Sequence, residues 1–349
     1  MPAAATEGMM PADRLALVTG GSSFIASHLI PALAEEGWRV RAIARSPRPA
    51  GLPASVEYRR GDLVSDHRLD ALLDEVSHVF HLAGGSSSYC TDDEMYQANV
   101  VATQRLVEVA ATRPLERFLF VSTSAVYGED KPLPLPVSED VRPQPSRIYG
   151  RTKWQAERII WARSSDAFPA TVVRPVSVYG PGATKLVAST ILDAAVERYA
   201  GLERLDVPAE QIELRLVHID DVVGACLHLA QAPAAVGRAF NVAALYPTSH
   251  ELGSAVAAAM KMEMKVCRGD GCGLTGEARA EVRERMMAAG MAGNILLTKN
   301  RLQFLARANR NNRLSTSALS EVGYSPRITD LHSSVEAAVS WYRAQRWII

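Results

Sequence analysis

The feature that most constrains this chain is an alternation kept up from Arg14 to Gly180. A short β-branched run is followed by an amphipathic helical stretch, and the pair then repeats. "RLALVTG" precedes "SHLIPALAEEG", and "WRVRAIAR" leads through a proline-rich loop to "VEYRRGDL" and "DHRLDALLDEV". "HVFHLAGG" precedes "NVVATQRLVEVAATRP", and "RFLFVSTS" precedes the long loop 131–146 and the helical "YGRTKWQAERIIWAR". "ATVVRPVSVYG" closes the series. The runs are apolar throughout, so both faces of the strands are buried. The pattern predicts a parallel sheet with helices on both sides. This is the α/β, Rossmann-type, doubly wound class, which binds ligands beyond the carboxyl ends of its strands where strand order reverses.

After Gly182 the alternation fades. Leu186–Tyr199 and Glu277–Arg307 read as helical, and Ala239–Ala243 as one more strand of the main sheet. The organisation expected is a disordered leader over 1–13 and a dinucleotide-binding domain over 14–178, to which 216–244 returns. A smaller mixed substrate lobe takes 179–215 and 245–349. The chain has 349 residues, 48% of them hydrophobic, and 38 basic residues balance 38 acidic ones. Such balance provides no attraction toward nucleic acid or an anionic membrane. No apolar run reaches the roughly 20 residues of a membrane span, and the first residues lack the pattern of a secretory signal. Four cysteines do not make a disulfide framework in a chain this long. A soluble, cytoplasmic globular protein is expected.

The chemistry begins at "LVTGGSSFIASHLI" (Leu17–Ile30), a strand, a tight turn and a helix start. Glycines here let backbone approach a pyrophosphate, whose charge is met by the helix amides. Of a G-x-x-G-x-x-G spacing only Gly20 stands, with Ser23 and Ala26 in the other two places. Ala26 is mild, since that position serves helix–strand packing. Ser23 puts a side chain where backbone should be bare, and its hydroxyl either meets a phosphate oxygen or crowds it. The second strand ends at Ala44 and Arg45, with Arg48 beyond and no carboxylate for a ribose hydroxyl. A guanidinium suits a ribose 2′-phosphate, so the sequence favours NADP(H) over NAD(H). The plain alternative is a solvated strand-end arginine. Asp62 in "GDL" is placed for the adenine amino group or for an ordinary turn.

Tyr149 and Lys153 stand four apart, on one face of a helix. A phenol of ordinary pKa about 10 is a poor acid–base at neutral pH. A neighbouring ammonium lowers that value, which fits Tyr149 to exchange a proton with a carbonyl or alcohol oxygen. Upstream, "FVSTSAVYG" places Thr123 where a strand meets its loop, ready to hydrogen-bond the same oxygen.

With "VTGGSSFIASHL", "GDL", "FHLAGG", "NVVATQRLVEVA", "VSTSAVYG", "YGRTK", "RPVSVYGPG", "VHIDDVVGA", "FNVA" and "GYSP", the chain resembles the extended short-chain dehydrogenase/reductases over nearly its whole length. These form the NAD-dependent epimerase/dehydratase superfamily. The resemblance implies a catalytic Thr123/Tyr149/Lys153 set, with Lys153 also holding the nicotinamide ribose. It implies cofactor contacts from Gly20, Ser22, Ser23, Phe24, Ile25, Arg45, Asp62, Leu63, Leu82, Ala83, Gly84, Asn99, Val121, Val176 and Ser177. A homodimer is implied by the superfamily's habit.

Departures narrow the reading. Dehydratases of the superfamily carry Asp-Glu after the catalytic threonine, where this chain has Ser124-Ala125, so dehydration is not expected. Nucleotide-sugar enzymes carry Asn at the place of Ser177 and Arg at that of Leu214, with a late Arg-Pro-Gly-Asp absent from 261–325. The stretch 294–326 looks more like the hydroxysteroid-dehydrogenase-like and ketoreductase branches. The expectation is an NADP(H)-dependent oxidoreductase acting on a secondary alcohol or ketone, with a nucleotide-activated keto-sugar as one substrate class. The alternatives are an epimerase that retains NAD, an enzyme on a less polar ketone, and a non-catalytic NADP-binding sensor. Cys267 and Cys272 read as loop thiols, with a disulfide between them as the alternative, and no metal site is expected. His218 with Asp220 and Asp221 reads as the cap of a following helix. Met286, Met287 and Met291 read as packing or lid residues.

Overall fold

A computed structural model describes residues 14–86, 90–128, 133–268, 273–274, 276–291 and 313–349. Its centre is a seven-stranded sheet, all parallel. The strands are β1 (Leu15–Thr19), β2 (Arg39–Ala44), β3 (Glu57–Arg60), β4 (His78–His81), β5 (Arg117–Val121), β6 (Ala170–Pro175) and a last one, β10 (Ala239–Val242). They lie in the order β10-β6-β5-β4-β1-β2-β3. Strand order therefore reverses between β1 and β4, the place where a doubly wound sheet opens a crevice.

Burial along the strands shows why continuous apolar runs were needed. Ala16, Val18, Phe80, Leu119 and Val121 belong to the core on one face. Their immediate neighbours Leu15, Leu17, Val79, Phe118 and Phe120 belong to the core on the other. Period-two alternation thus feeds two cores, so the central strands are largely apolar on both faces, with Thr19, His78, His81, Arg117 and Arg174 as buried polar exceptions and the edge strand β3 polar. Helix α1 (Phe24–Glu35) packs on one face, with Ala26, Leu29, Ile30 and Leu33 buried. Helix α2 is a single turn (Leu69–Leu72). The next helical stretch runs from Asp92 to Ala110 as α3 (Asp92–Tyr96), a π turn (Gln97–Val101) and α4 (Ala102–Ala110). Helix α5 (Ile148–Trp161) follows the β5 loop.

A third core is formed by α6 (Val187–Tyr199), β8 (Arg204–Pro208) and α8 (Ser249–Met260), with α9 (Gly276–Ala288) and the last helix (Leu331–Ala344) closing it. β7 (Ser177–Tyr179) pairs with β9 (Leu216–His218), and β8 with β11 (Glu263–Cys267). The return to the main sheet runs through β9 and α7 (Ile219–Gln231) to β10. The expected helix Glu277–Arg307 is seen over α9, and 292–307 lies outside the described residues. So does the expected leader, 1–13. Leu314, Leu319 and Tyr324 rejoin the core of the sheet rather than that of the lobe.

Two small readings change. Cys267 is disulfide-bonded, not a free loop thiol; Cys272 lies outside the described residues. Of the "HIDD" cluster, His218 is the cap, its Nδ1 accepting the Asp220 amide at 3.3 Å. Asp221 turns away to accept the Arg327 and Ile328 amides at 2.7 and 3.1 Å, which ties the tail down. Met286 is buried in the lobe core and Met287 is exposed.

Candidate active site

The loop after β1 requires the one glycine that remains of the motif spacing. Gly20 has φ +69°, and a Cβ there would lie 2.8 Å from the Ala83 backbone. The next turn is held by backbone, with the Gly21 amide on Ile43 O at 3.0 Å and the Ser23 amide on Gly20 O at 2.8 Å. Ser23 is the N-cap of α1, its Oγ accepting the Ala26 amide at 3.3 Å. Serine is a favoured cap because its oxygen satisfies one of the orphan amides of the first turn. The amides of Phe24 and Ile25 have no protein acceptor among the described residues. The helix start thus presents two free N–H groups and a hydroxyl whose proton is still available, a setting suited to phosphate.

A cavity of about 410 Å³ runs along the carboxyl ends of β1, β2 and β4. Gly20, Ser22, Ser23, Arg45, Asp62, Leu63, Leu82, Ala83 and Gly84 line it, all of them expected there. Arg45 is exposed at one end. Arg48 is not at the ribose position: its guanidinium donates to Val56 O and Pro53 O at 2.8 and 2.6 Å and holds the proline-rich loop. Asp62 lines the cavity while its Oδ1 accepts the Val64 amide at 2.9 Å. The opposite wall, Asp93, Glu94, Gln97 and Ala98, was missed. Its signal was readable in part, because Thr91 and Glu94 form a capping box with the T-x-x-E spacing.

The "HLAG" turn is fixed by a directional chain of hydrogen bonds. The Ala83 amide donates to Thr19 Oγ1 (3.2 Å), and Thr19 pairs with His81 Nδ1 (2.7 Å). On the other side His81 Nε2 pairs with Thr103 Oγ1 (2.8 Å), which donates to Asn99 O (2.7 Å). Because Thr103 spends its proton on Asn99, His81 must donate from Nε2 and accept at Nδ1, so the chain assigns the neutral tautomer. Burial holds the His81 imidazole down at about 3, with Lys153 adding to the effect. Asn99 clamps the same turn, its Oδ1 accepting the Gly85 amide (2.8 Å) and its Nδ2 donating to Gly85 O and Thr152 Oγ1. The π turn carries this buried asparagine, and such turns concentrate at functional sites.

Gly84 closes one end of the cavity, and the expected catalytic set lies beyond it without lining the cavity. A Cβ on Gly84 would be 2.6 Å from Asn99 Oδ1 and 3.9 Å from Lys153 Nζ. Thr123 follows β5 and caps a 3₁₀ turn, Ser124–Tyr127, accepting the Ala125 amide at 3.2 Å. Its side chain lies beside the Tyr149 phenol and favours the ionised form of that phenol. Lys153, buried one turn along α5, donates to Val121 O at 2.8 Å and lies 4.0 Å over the Phe120 ring. Val176 follows β6 with its amide on Val242 O, and Ser177 opens β7. The electrostatics differ from the sequence expectation. Burial pushes the Tyr149 phenol up and the Thr123 side chain pulls it back, while burial takes Lys153 down to about 7.

The model of the NAD dependent epimerase/dehydratase family matches residues 16–243. The chain belongs to this family. Among the family's curated proteins, a ketoreductase of Stigmatella aurantiaca acting on 4-hydroxy-2-methyl-3-oxo-4-farnesyl-3,4-dihydroquinoline-1-oxide is 32% identical over 187 residues. The match covers 52% of this chain and 55% of that protein. A UDP-glucose 4-epimerase of Halalkalibacterium halodurans is 31% identical over 156 residues, 43% of this chain and 46% of that one. The chain spans about half the length of the curated relatives it matches. Among solved structures, MoeE5 in complex with UDP-glucose and NAD superposes with a TM-score of 0.71 at 26% identity, over 95% of this chain and 99% of that one. The family resemblance and the Rossmann-like fold are therefore as the motifs implied. Among the described residues of this epimerase/dehydratase-family chain, no group of three His, Cys, Asp or Glu converges on a metal position. None of its described helices is long and apolar enough to cross a membrane.

Proposed function

We propose that the protein is an NADP(H)-dependent oxidoreductase that interconverts a ketone and a secondary alcohol. The observation that carries this is one continuous groove. It starts beside Arg45 and Asp62, passes Ser22 and the α1 cap Ser23, and ends at Gly84, whose Cα faces Asn99 and Lys153, with Thr123 and Tyr149 beyond. The residues fit a dinucleotide: a glycine cradle, a helix start with unpaired N–H groups, and a guanidinium at the adenosine end. A bound nicotinamide would supply or accept the hydride. Tyr149 gives its proton to the carbonyl oxygen in reduction and takes it back in oxidation. Thr123 holds that oxygen beside the phenol, and the Lys153 ammonium stabilises the phenolate left behind. Leu214 is buried in the lobe core, so no cation stands there for a diphosphate. The substrate classes to compare are nucleotide-activated 4-keto-sugars and less polar cyclic ketones. A homodimer is part of the proposal and is read by light scattering.

A second reading, an epimerase that keeps its NAD, is favoured by the likeness to the NAD- and UDP-glucose-bound structure. Calorimetric titration of stripped protein with NADPH and NADH separates the two. NADPH is expected to bind tighter, and Arg45→Ala to weaken NADPH about tenfold or more while sparing NADH, the loss of one charge-assisted contact. Tightly co-purified NAD, unchanged by Arg45→Ala, would put the epimerase first. Binding of neither would end both readings.

A further inference from the structure

Behind the Thr123–Tyr149 pair lies a buried group of charges that the proton transfer above does not use. Glu157 has no exposure and stands one helical turn beyond Lys153 on α5. Arg174 of β6 grips it as a fork, Nη2 to Oε2 at 2.7 Å and Nε 3.2 Å from both oxygens. Ser122 Oγ donates to Oε1 at 2.5 Å. The other arm of Arg174 donates to the Tyr127 hydroxyl at 2.8 Å, and Tyr127 donates on to Asn241 Oδ1 at 2.8 Å. Ser122 precedes Thr123, and Tyr127 ends the 3₁₀ turn that Thr123 caps. The ion pair is therefore bonded to the chain on both sides of Thr123 and, through α5, to the helix that carries Tyr149 and Lys153.

A buried ion pair is a poor source of stability, since desolvation offsets its attraction and well-packed apolar residues do as well. Its value must be sought in what it fixes. Lys153 is packed by α5 itself (Tyr149 and Glu157), by β5 (Val121 O and the Phe120 ring), by β4 (His81) and by the Gly84 turn with Asn99. Of these, His81 is neutral and Glu157 is the carboxylate. We propose that Glu157, clamped by Arg174 and Ser122, is a positioning residue that keeps Lys153 protonated and holds Thr123 in register with Tyr149. The inference rests on the roles assigned above to Tyr149 and Lys153. Glu157 follows Lys153 by one turn in the same buried layer, and there it pulls the ammonium back up against the burial that has brought it to about 7.

The test reads that charge directly, in the whole chain with no cofactor or substrate added. Lysine-selective ¹³C labelling, with Lys153 assigned through Lys153→Arg, gives its titration midpoint by NMR. Glu157→Gln, which keeps the shape and removes the charge, should lower the midpoint by about 1 unit or more, the usual effect of losing a close opposite charge. Glu157→Asp should restore most of that shift. An unmoved midpoint in Glu157→Gln, or an equal drop in both variants, overturns the proposal. If Glu157→Gln does not fold, the wild-type protein answers: the Glu157 carboxyl resonance must inflect at the pH where Lys153 titrates, and a resonance flat through that pH refutes the coupling. Dinucleotide binding is measured separately, so failure of the cofactor reading is not mistaken for failure of this one.

Discussion

Two buried histidines should make the fold acid-sensitive well above the carboxylate range. His78 and His81 are both held neutral by burial, each brought to about 3, and Arg14 and Arg117 add to the effect at His78. In the unfolded chain each would titrate near its ordinary value of about 6.5. Below that pH the unfolded state binds protons that the native state refuses. Stability therefore falls as pH drops from about 6.5 toward about 3, where the native histidines at last take protons and the loss levels off. At pH 5 each histidine costs about 1.5 units, or roughly 2 kcal/mol at 1.36 kcal/mol per unit, and the pair about 4 kcal/mol. Glu139, whose carboxyl burial pushes up, works in the opposite direction and trims the slope. The physical event at His81 is specific. Protonated Nδ1 would face the Thr19 hydroxyl as a second donor, and the chain that holds the Ala83 amide would break. Urea unfolding at pH 8.0 and 5.0 measures the loss, and His78→Asn should remove about half of it. Ring resonances of both histidines should stay in their neutral positions down to the pH of unfolding. A His81 ring that titrates near 6 in the native protein, or a His78→Asn slope equal to wild type, would refute the reasoning.

Substitutions at three positions probe the site. Ser23→Ala removes the α1 cap and should cost about 1 kcal/mol in thermal or urea unfolding, while Ser23→Gly costs only a few tenths; equal losses would mean the cap is not what Ser23 supplies. Gly20→Ala forces a side chain into φ +69° and against the Ala83 backbone at 2.8 Å, so it should destabilise by at least 1–3 kcal/mol and abolish dinucleotide binding in calorimetry. Tyr149→Phe keeps the burial and removes the proton, so turnover of any ketone the wild type reduces should fall about 10²- to 10⁴-fold with NADPH affinity unchanged; intact turnover would remove Tyr149 from the chemistry.

The sheet was legible because its strands feed two cores at once. Leu17 and Val18, or Phe118 and Leu119, must both be apolar for opposite reasons, and few other arrangements demand that. Loop residues at the carboxyl ends followed from the same order, which is why Gly20, Asp62 and Gly84 fell on one cavity. What stayed hidden depends on side chains meeting across elements. Arg48 and Arg45 look alike in sequence, yet one folds back on Pro53 O while the other stays at the groove. Glu157 is spaced four from Lys153, a pattern that reads as an exposed helix pair until Arg174 arrives from β6. The π turn has no residue signature, because Gln97–Val101 would fit an α-helix equally well; the Asn99 contacts to Gly85 and Thr152 are what it serves.

Ser23 shows how a departure from a motif can be absorbed without losing the site. A hydroxyl has one proton and two lone pairs, and the Ala26 amide uses a single lone pair. The proton remains to be donated, and the neighbouring Phe24 and Ile25 amides remain unpaired. A glycine here would leave a third amide for the phosphate and would leave the helix without a side-chain cap. A serine spends that amide on the cap and offers an O–H donor in its place. The number of donors at the start of α1 is thereby conserved while the helix is stabilised. The steric objection to a side chain at this position also weakens, because the cap draws Oγ toward the Ala26 amide at 3.3 Å and so toward the helix rather than across the groove. If that exchange is the reason for Ser23, then Ser23→Gly should leave dinucleotide affinity within about threefold of wild type, less than one neutral hydrogen bond. Ser23→Val, which neither caps nor donates and adds bulk, should lose both affinity and stability. Affinity retained in Ser23→Val would show that the hydroxyl contributes nothing to the phosphate.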